Sequence, residues 1–179
     1  MTSLDSKDFC TTNPKPCRKK LNINRKKMPQ IDTSSDYKNF KNIIKKKLSL
    51  TFEEKPLQIS SSNIYISQKH VNLYIAEAIA NKIKKKKSKS FSIPIILLKN
   101  NKNEYMIVDG HHRWLAYHQY LKKEKANVCI VHIGDLNLKK GFQKIKNKLP
   151  KKLFKGYSLN GKTKKHTKKQ NKRKTRKRH

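Results

Sequence analysis

A regular apolar pattern runs from Tyr37 to Leu149 and fades on either side. Tyr37, Phe40, Ile43, Ile44 and Leu48 fall on one face of a helix, with Ser35 or Asp36 as its N-cap. Glu53 to Ser62 reads as a polar connection, and Ile64-Tyr65-Ile66 as a brief strand. Val71, Tyr74, Ile75, Ala78, Ile79 and Ile83 then repeat at the three-four spacing of a buried helical stripe. Ser67 is the expected cap of that helix, and Lys84 to Lys87 sit at the end its dipole favours for cations. After the break at Ser88 to Ser92, the apolar run Ile93 to Leu98 is long enough for a strand and too short for a helix. Lys99 to Asn103 is a turn and Tyr105 to Val108 the return strand, so a β-hairpin is expected. From His111 to about Leu121 helical spacing resumes, with Trp114, Leu115, His118 and Leu121 on one face. Val128 to Ile133 is apolar enough for a covered strand. Phe142, Ile145 and Leu149 are spaced for a last short helix.

Helix, hairpin, helix and strand within one segment predict a small α/β (α+β) domain, in which a hairpin and a further strand pack with helices. Residues 57–136 carry it. Residues 36–56 supply an accessory helix and linker, and residues 137–149 the short helix. Residues 1–35, with Pro14, Pro16 and Pro29 but no period, read as a disordered basic segment. Residues 150–179 read as a disordered Lys/Arg-rich tail.

Charge sharpens this division. The 179-residue chain has 46 Lys and Arg against 11 Asp and Glu, a formal charge of +35. No acid follows Asp135, and residues 150–179 contain fourteen Lys or Arg. The tail residues Lys164, Lys165, Lys168, Lys169, Lys172, Arg173, Lys174, Arg176, Lys177 and Arg178 are expected to attract nucleic acid without sequence preference. The run NKRKTRKR also fits a nuclear-import signal. Cys10, Cys17 and Cys129 form no C-x-x-C pair, and their odd number argues against a disulfide framework, so a reducing compartment is expected. Cys129 reads as a small buried hydrophobe. No run approaches the ~20 apolar residues of a membrane span, and the first residues lack a signal peptide's apolar stretch. The expectation is a soluble intracellular protein with no membrane partner, in the nucleus or another compartment rich in nucleic acid.

The chemistry concentrates in VDGHHRWLA, residues 108–116. A strand enters, Gly110 permits a tight reversal and a helix leaves. Such a turn aims unsatisfied backbone N–H groups and the positive helix end at one spot, where an anion is stabilised. Arg113 can add a planar fork suited to phosphate oxygens, and His111 and His112 add donors whose charge depends on pH. A cation in the first turn opposes the helix dipole, so Arg113 is expected to serve a ligand rather than the helix. Asp109 has three readings: a helix cap, a partner that orients an imidazole, or a ligand to magnesium beside phosphates. The bland alternative is that Asp-Gly is simply a turn. His111 and His118, two helical turns apart, are a weak pair for a metal, and no ligand motif supports one.

A hairpin followed by DGHHR and an apolar helix resembles the ParB/sulfiredoxin superfamily, over about Leu57 to Leu136. Met28-Pro29-Gln30-Ile31 is similar to short segments that precede such domains. The resemblance implies a nucleotide phosphate at Asp109, Gly110, His111, His112 and Arg113, with CTP, ATP or ADP as candidates and magnesium as a further one. DGHHR is most similar to the free-serine kinases and to the small phage and viral ParB-like proteins. His111 stands where sulfiredoxins carry the catalytic cysteine, and imidazole cannot replace a thiolate nucleophile. The serine kinases use a glutamate before the first domain helix as base. Its counterparts here, Gln58 or Gln68, cannot take a proton near neutral pH, and Glu77 reads as a surface residue. The helix-turn-helix region of chromosome-segregation ParB proteins has no counterpart after Asp135. The expected function is a nucleotide- or phosphate-binding ParB-like protein that associates with nucleic acid. The alternatives are an ATP- or ADP-dependent phosphotransferase on a small hydroxylated substrate, or a ParB-like nuclease. The residues leave open which of these holds, and whether the chain is an enzyme at all.

Overall fold

The computed structural model describes residues 8–12, 14–17, 21–59, 63–85 and 93–154. In chain order, α1 (Phe9–Thr12), α2 (Pro14–Cys17) and α3 (Ser34–Leu48) precede strands β1 (Phe52–Gln58) and β2 (Ile64–Tyr65). There follow α4 (Leu73–Lys84), strands β3 (Ile95–Lys99) and β4 (Tyr105–Asp109), α5 (His111–Leu115), β5 (Lys125–His132) and α6 (Leu138–Lys146). The strands form one mixed sheet in the order β1-β5-β3-β4-β2. The expected hairpin is β3 against β4, antiparallel, while β5 lies parallel to β3 on its other side. β1 closes one edge antiparallel to β5, and the short β2 the other edge parallel to β4.

Alternation along the strands divides the core into two layers, so the protein is a mixed α/β sandwich. Ile95, Leu97, Ile107, Val128 and Ile130 face α4 and α5, packing on Ala76, Ala80, Trp114 and Leu115. Ile96, Leu98, Met106, Val108, Cys129 and Val131 face the other way, onto Phe40 and Ile44 of α3 and Phe142 and Ile145 of α6. Cys129 is a free buried thiol within that layer, as its apolar neighbours in the sequence require.

Several expectations are corrected. The segment up to residue 35 was expected to be disordered, yet Phe9, Met28 and Ile31 are buried in the core, and residues 21–35 are built into the structure. Their apolar side chains are too few to show a period, but each enters a layer assembled by other elements. The polar stretch from Glu53 is strand β1, so the fold begins before residue 57. An edge strand pairs on one side only, which accommodates Pro56 and exposed charge. On α4 the buried positions are Ala76 and Ala80, with Tyr74 55% exposed. Two alanines let the helix approach its neighbours closely, and the larger residues move to the flanks. Asn72, not Ser67, caps α4, and Thr33 rather than Ser35 or Asp36 caps α3.

The cysteine expectation is corrected too: Cys10 and Cys17 form a disulfide. An odd number of cysteines requires only that one stay single, and that one is Cys129. Cys10 of α1 and Cys17 at the end of α2 stand at a Cα separation of 5.9 Å, within the span of a disulfide. The inference of a reducing compartment therefore loses its premise. No helix among the described residues is long and apolar enough to cross a membrane.

Candidate phosphate-binding site

The β4–α5 turn takes its shape from a bulge and a glycine. Ile96 of β3 faces Asp109 while Leu97 faces Ile107, so β4 carries one extra residue just before the turn. Gly110 follows at φ +93°, a left-handed conformation that side chains disfavour. A Cβ there would also press on the Arg113 guanidinium, 3.1 Å from Nη2. The helix that leaves the turn is α-helical to Leu115 and continues as a π-helix over Ala116–Tyr120, where Leu121 N–H bonds the Ala116 carbonyl.

Arg113 points inward. Its Nη2 donates to Asp109 Oδ2 at 2.8 Å and its Nη1 to the Ile93 carbonyl, with the two side chains only 11% and 4% exposed. The expected free fork is thus engaged with the fold itself: it ties the turn to the residue that leads into β3. A second arginine reaches the turn and stays partly in solvent: Arg25, which no sequence motif marked. Its side chain is 28% exposed and its Nη1 lies 3.9 Å from Asp109 Oδ1. Burial pushes the Asp109 carboxyl above the usual carboxylate range, and Arg113, then Arg25, pull against that shift. With each carboxylate oxygen facing a guanidinium, Asp109 does not fit a magnesium ion.

The two histidines act as acceptors. His111 Nε2 receives the backbone N–H groups of Ser67 and Gln68, both at 3.3 Å, and His112 Nε2 receives that of Asn72 at 3.2 Å. An Nε2 that accepts carries no proton, so each ring is the neutral Nδ1–H tautomer. Burial, with charged neighbours adding to it, holds His111 well below the ordinary histidine range and brings His112 to about 4. The imidazoles therefore clamp the 67–72 loop to the turn, rather than offering cationic donors at neutral pH. Ser67 Oγ reinforces the clamp by donating to the Ile107 carbonyl. The Gln68 backbone is buried on His111 and its side-chain Nε2 donates to the His70 carbonyl. Gln58, at the end of β1, and Glu77, on α4, are both exposed.

The N-terminal residues lie across this loop. Ile23 pairs with Gln68 in a parallel bridge, and Phe9 N–H bonds the Val71 carbonyl. Asp8 Oδ1 accepts the Val71 N–H at 3.0 Å, and its Oδ2 lies 3.2 Å from His70 Nδ1. Phe9 meets Trp114 edge to face at 5.6 Å. His118 stacks on the same indole at 5.5 Å, apart from the His111 contacts with the loop. Among the described residues no group of three or more His, Cys, Asp or Glu could hold a metal ion. The tail residues Lys164, Lys165, Lys168, Lys169, Lys172, Arg173, Lys174, Arg176, Lys177 and Arg178 lie outside the described residues.

The structure thus gathers all five DGHHR residues, but divides their work. Asp109, Gly110 and Arg113 build the turn, and His111 and His112 fasten the neighbouring loop. Arg25, Ser67 and Asn72 belong to the same assembly, and only tertiary proximity reveals them. Residues 57–141 match the family model of the ParB N-terminal domain. No curated protein matches the chain.

Proposed function

We propose, from the match of residues 57–141 to the ParB N-terminal domain model, that this protein binds a nucleoside phosphate at the β4–α5 turn and associates with nucleic acid without sequence preference. The observation that carries the reading is Arg25. It brings a second guanidinium to a carboxylate that Arg113 already matches, and it does so at long range and partly in solvent. The fold therefore engages Arg25 only loosely, and leaves its guanidinium available to a ligand at the turn. A phosphate that displaced the 3.9 Å contact would gain a guanidinium and the first N–H groups of the helix, which no helical carbonyl can satisfy. CTP, ATP or ADP would supply that group. Magnesium, where it takes part, would ride on the phosphates and not on Asp109. The Lys- and Arg-rich tail would add affinity for nucleic acid by neutralising backbone phosphates.

Calorimetric titration with CTP, ATP, ADP and GTP, followed by product analysis of whichever binds, tests the reading and separates binding from turnover. Losing one charge-assisted hydrogen bond costs about 1.5–3 kcal/mol. Arg25→Ala should therefore weaken the bound nucleotide roughly tenfold or more. Failure of all four to bind, or an unchanged affinity in Arg25→Ala, would refute it.

A further inference from the structure

α1 and α2 have four residues each, too few to hold a helix by their own hydrogen bonds. What fixes them is the loop between β2 and α4. At one end of that loop the Pro16 carbonyl accepts the Ile66 N–H at 3.0 Å. At the other end Asp8 bridges to Asn72, and Phe9 N–H bonds the Val71 carbonyl at 3.0 Å. Asp8 Oδ1 also accepts the Val71 N–H. The Cys10–Cys17 disulfide joins these two attachments. It closes α1 and α2 into a strap across the same loop that His111 and His112 fasten to the β4–α5 turn. The strap carries Phe9 onto the Trp114 indole and Asp8 within electrostatic reach of His112. Among the described residues, every buried core side chain other than Phe9 comes from Met28 onward. The strap can therefore lift while the two core layers stay packed.

Both cysteines are half-buried, so a thiolate in solution can reach the bond between them. We infer that the Cys10–Cys17 disulfide is a redox latch: closed, it holds the strap across the 66–72 loop, and opened by a dithiol, it lets the strap go. In the opening step one thiolate of the dithiol attacks a latch sulfur. The S–S bond breaks, and the other cysteine leaves as a thiolate that takes up a proton. The second thiol of the reductant, deprotonated, then displaces the remaining cysteine from the mixed disulfide. Two electrons pass to the protein, the reductant becomes a disulfide, and Cys10 and Cys17 end as thiols. A small-molecule disulfide reverses the sequence. Cys129 takes no part, because it is a free thiol buried in the layer on the other face of the sheet. Closed, the latch keeps the Asp8 carboxylate beside the DGHHR turn, where a phosphate would meet a like charge. That consequence rests on the phosphate-binding reading; the latch itself does not.

The full-length chain, oxidised with glutathione disulfide, should be compared with and without dithiothreitol by hydrogen exchange. Opening the latch should speed exchange of the Ile66 and Val71 amides about tenfold or more, as the constraint of a short closed loop is lost. The Ser67 and Gln68 amides, held by His111, should change far less, which separates release of the strap from unfolding of the loop. Trp114 emission should shift to the red as Phe9 leaves it. Cys10→Ser with Cys17→Ser should exchange like the reduced protein and ignore dithiothreitol. The inference is overturned if alkylation and mass mapping find both thiols free after oxidation. It is equally overturned if Ile66 and Val71 exchange alike in both states, or if the double variant still responds to the reductant. The nucleotide titration, repeated in both states, tests the consequence for the site: reduction should tighten binding about two- to fivefold. Equal affinity refutes control of the site by the latch. Absence of binding in both states refutes the phosphate-binding reading, and the exchange rates still decide the latch.

Discussion

Replacing Arg113 with alanine should unfold this protein more readily, whether or not a nucleotide is present. The substitution removes the 2.8 Å bond to Asp109 and the bond to the Ile93 carbonyl, both within a buried turn. It leaves the Asp109 carboxyl, 4% exposed, without its close guanidinium, facing the Gly110 N–H and Arg25 at 3.9 Å. Removing one member of a buried ion pair costs about 3–5 kcal/mol, because the remaining charge cannot be resolvated. For a chain of this size that corresponds to a fall in Tm of about 10 °C. Arg25→Ala gives the contrast. Its partly exposed, long contact contributes about 0–1 kcal/mol, so its melt should nearly overlay that of the unaltered protein. Arg113→Lys, which keeps the charge but not the planar fork, should fall between. Thermal melts by circular dichroism, without ligand, measure all three. If Arg113→Ala and Arg25→Ala melt together near the unaltered Tm, Arg113 is not holding the turn, and the division of labour between the arginines is wrong.

The histidine clamp makes stability depend on pH. His111 lies well below the ordinary histidine range and His112 at about 4 in the folded protein, so the unfolded chain binds their protons more readily. Their contribution is complete above about pH 6.5 and is lost as pH falls toward 4, while the raised Asp109 carboxyl acts in the opposite sense. Urea unfolding at pH 7.5, 6 and 5 should show a steady fall that is shallower in His112→Gln, and a flat profile would count against the clamp. Phe9→Ala should cost about 3 kcal/mol and red-shift the emission of the single tryptophan, Trp114, which Phe9 covers. An unchanged spectrum would show that the N-terminal residues do not lie over the site.

The hairpin, the helix after it and the final strand were legible because each buries a face by local rules. Ile95 to Lys99 and Tyr105 to Asp109 are apolar runs around a turn, and Phe142 and Ile145 repeat at helical spacing. The DGHHR turn was legible for the same reason: a glycine between strand and helix marks a reversal wherever it occurs. β1 was not, since an edge strand with a proline and exposed charge carries little of the alternation that identifies a strand. Nor was the burial of Phe9, Met28 and Ile31, because three apolar residues without a period acquire a place only when a sheet exists to receive them. The roles of the site residues were decided last of all. Residue type told that Arg113 was a fork and His111 a titratable ring. Which way the fork points, and that both imidazoles accept hydrogen bonds rather than give them, depends on residues about 20 and 40 positions away in the chain. Contacts of that range leave no local periodicity, so only the folded chain shows that Arg113 is spent inside the turn and that Arg25 joins it from the partly exposed side.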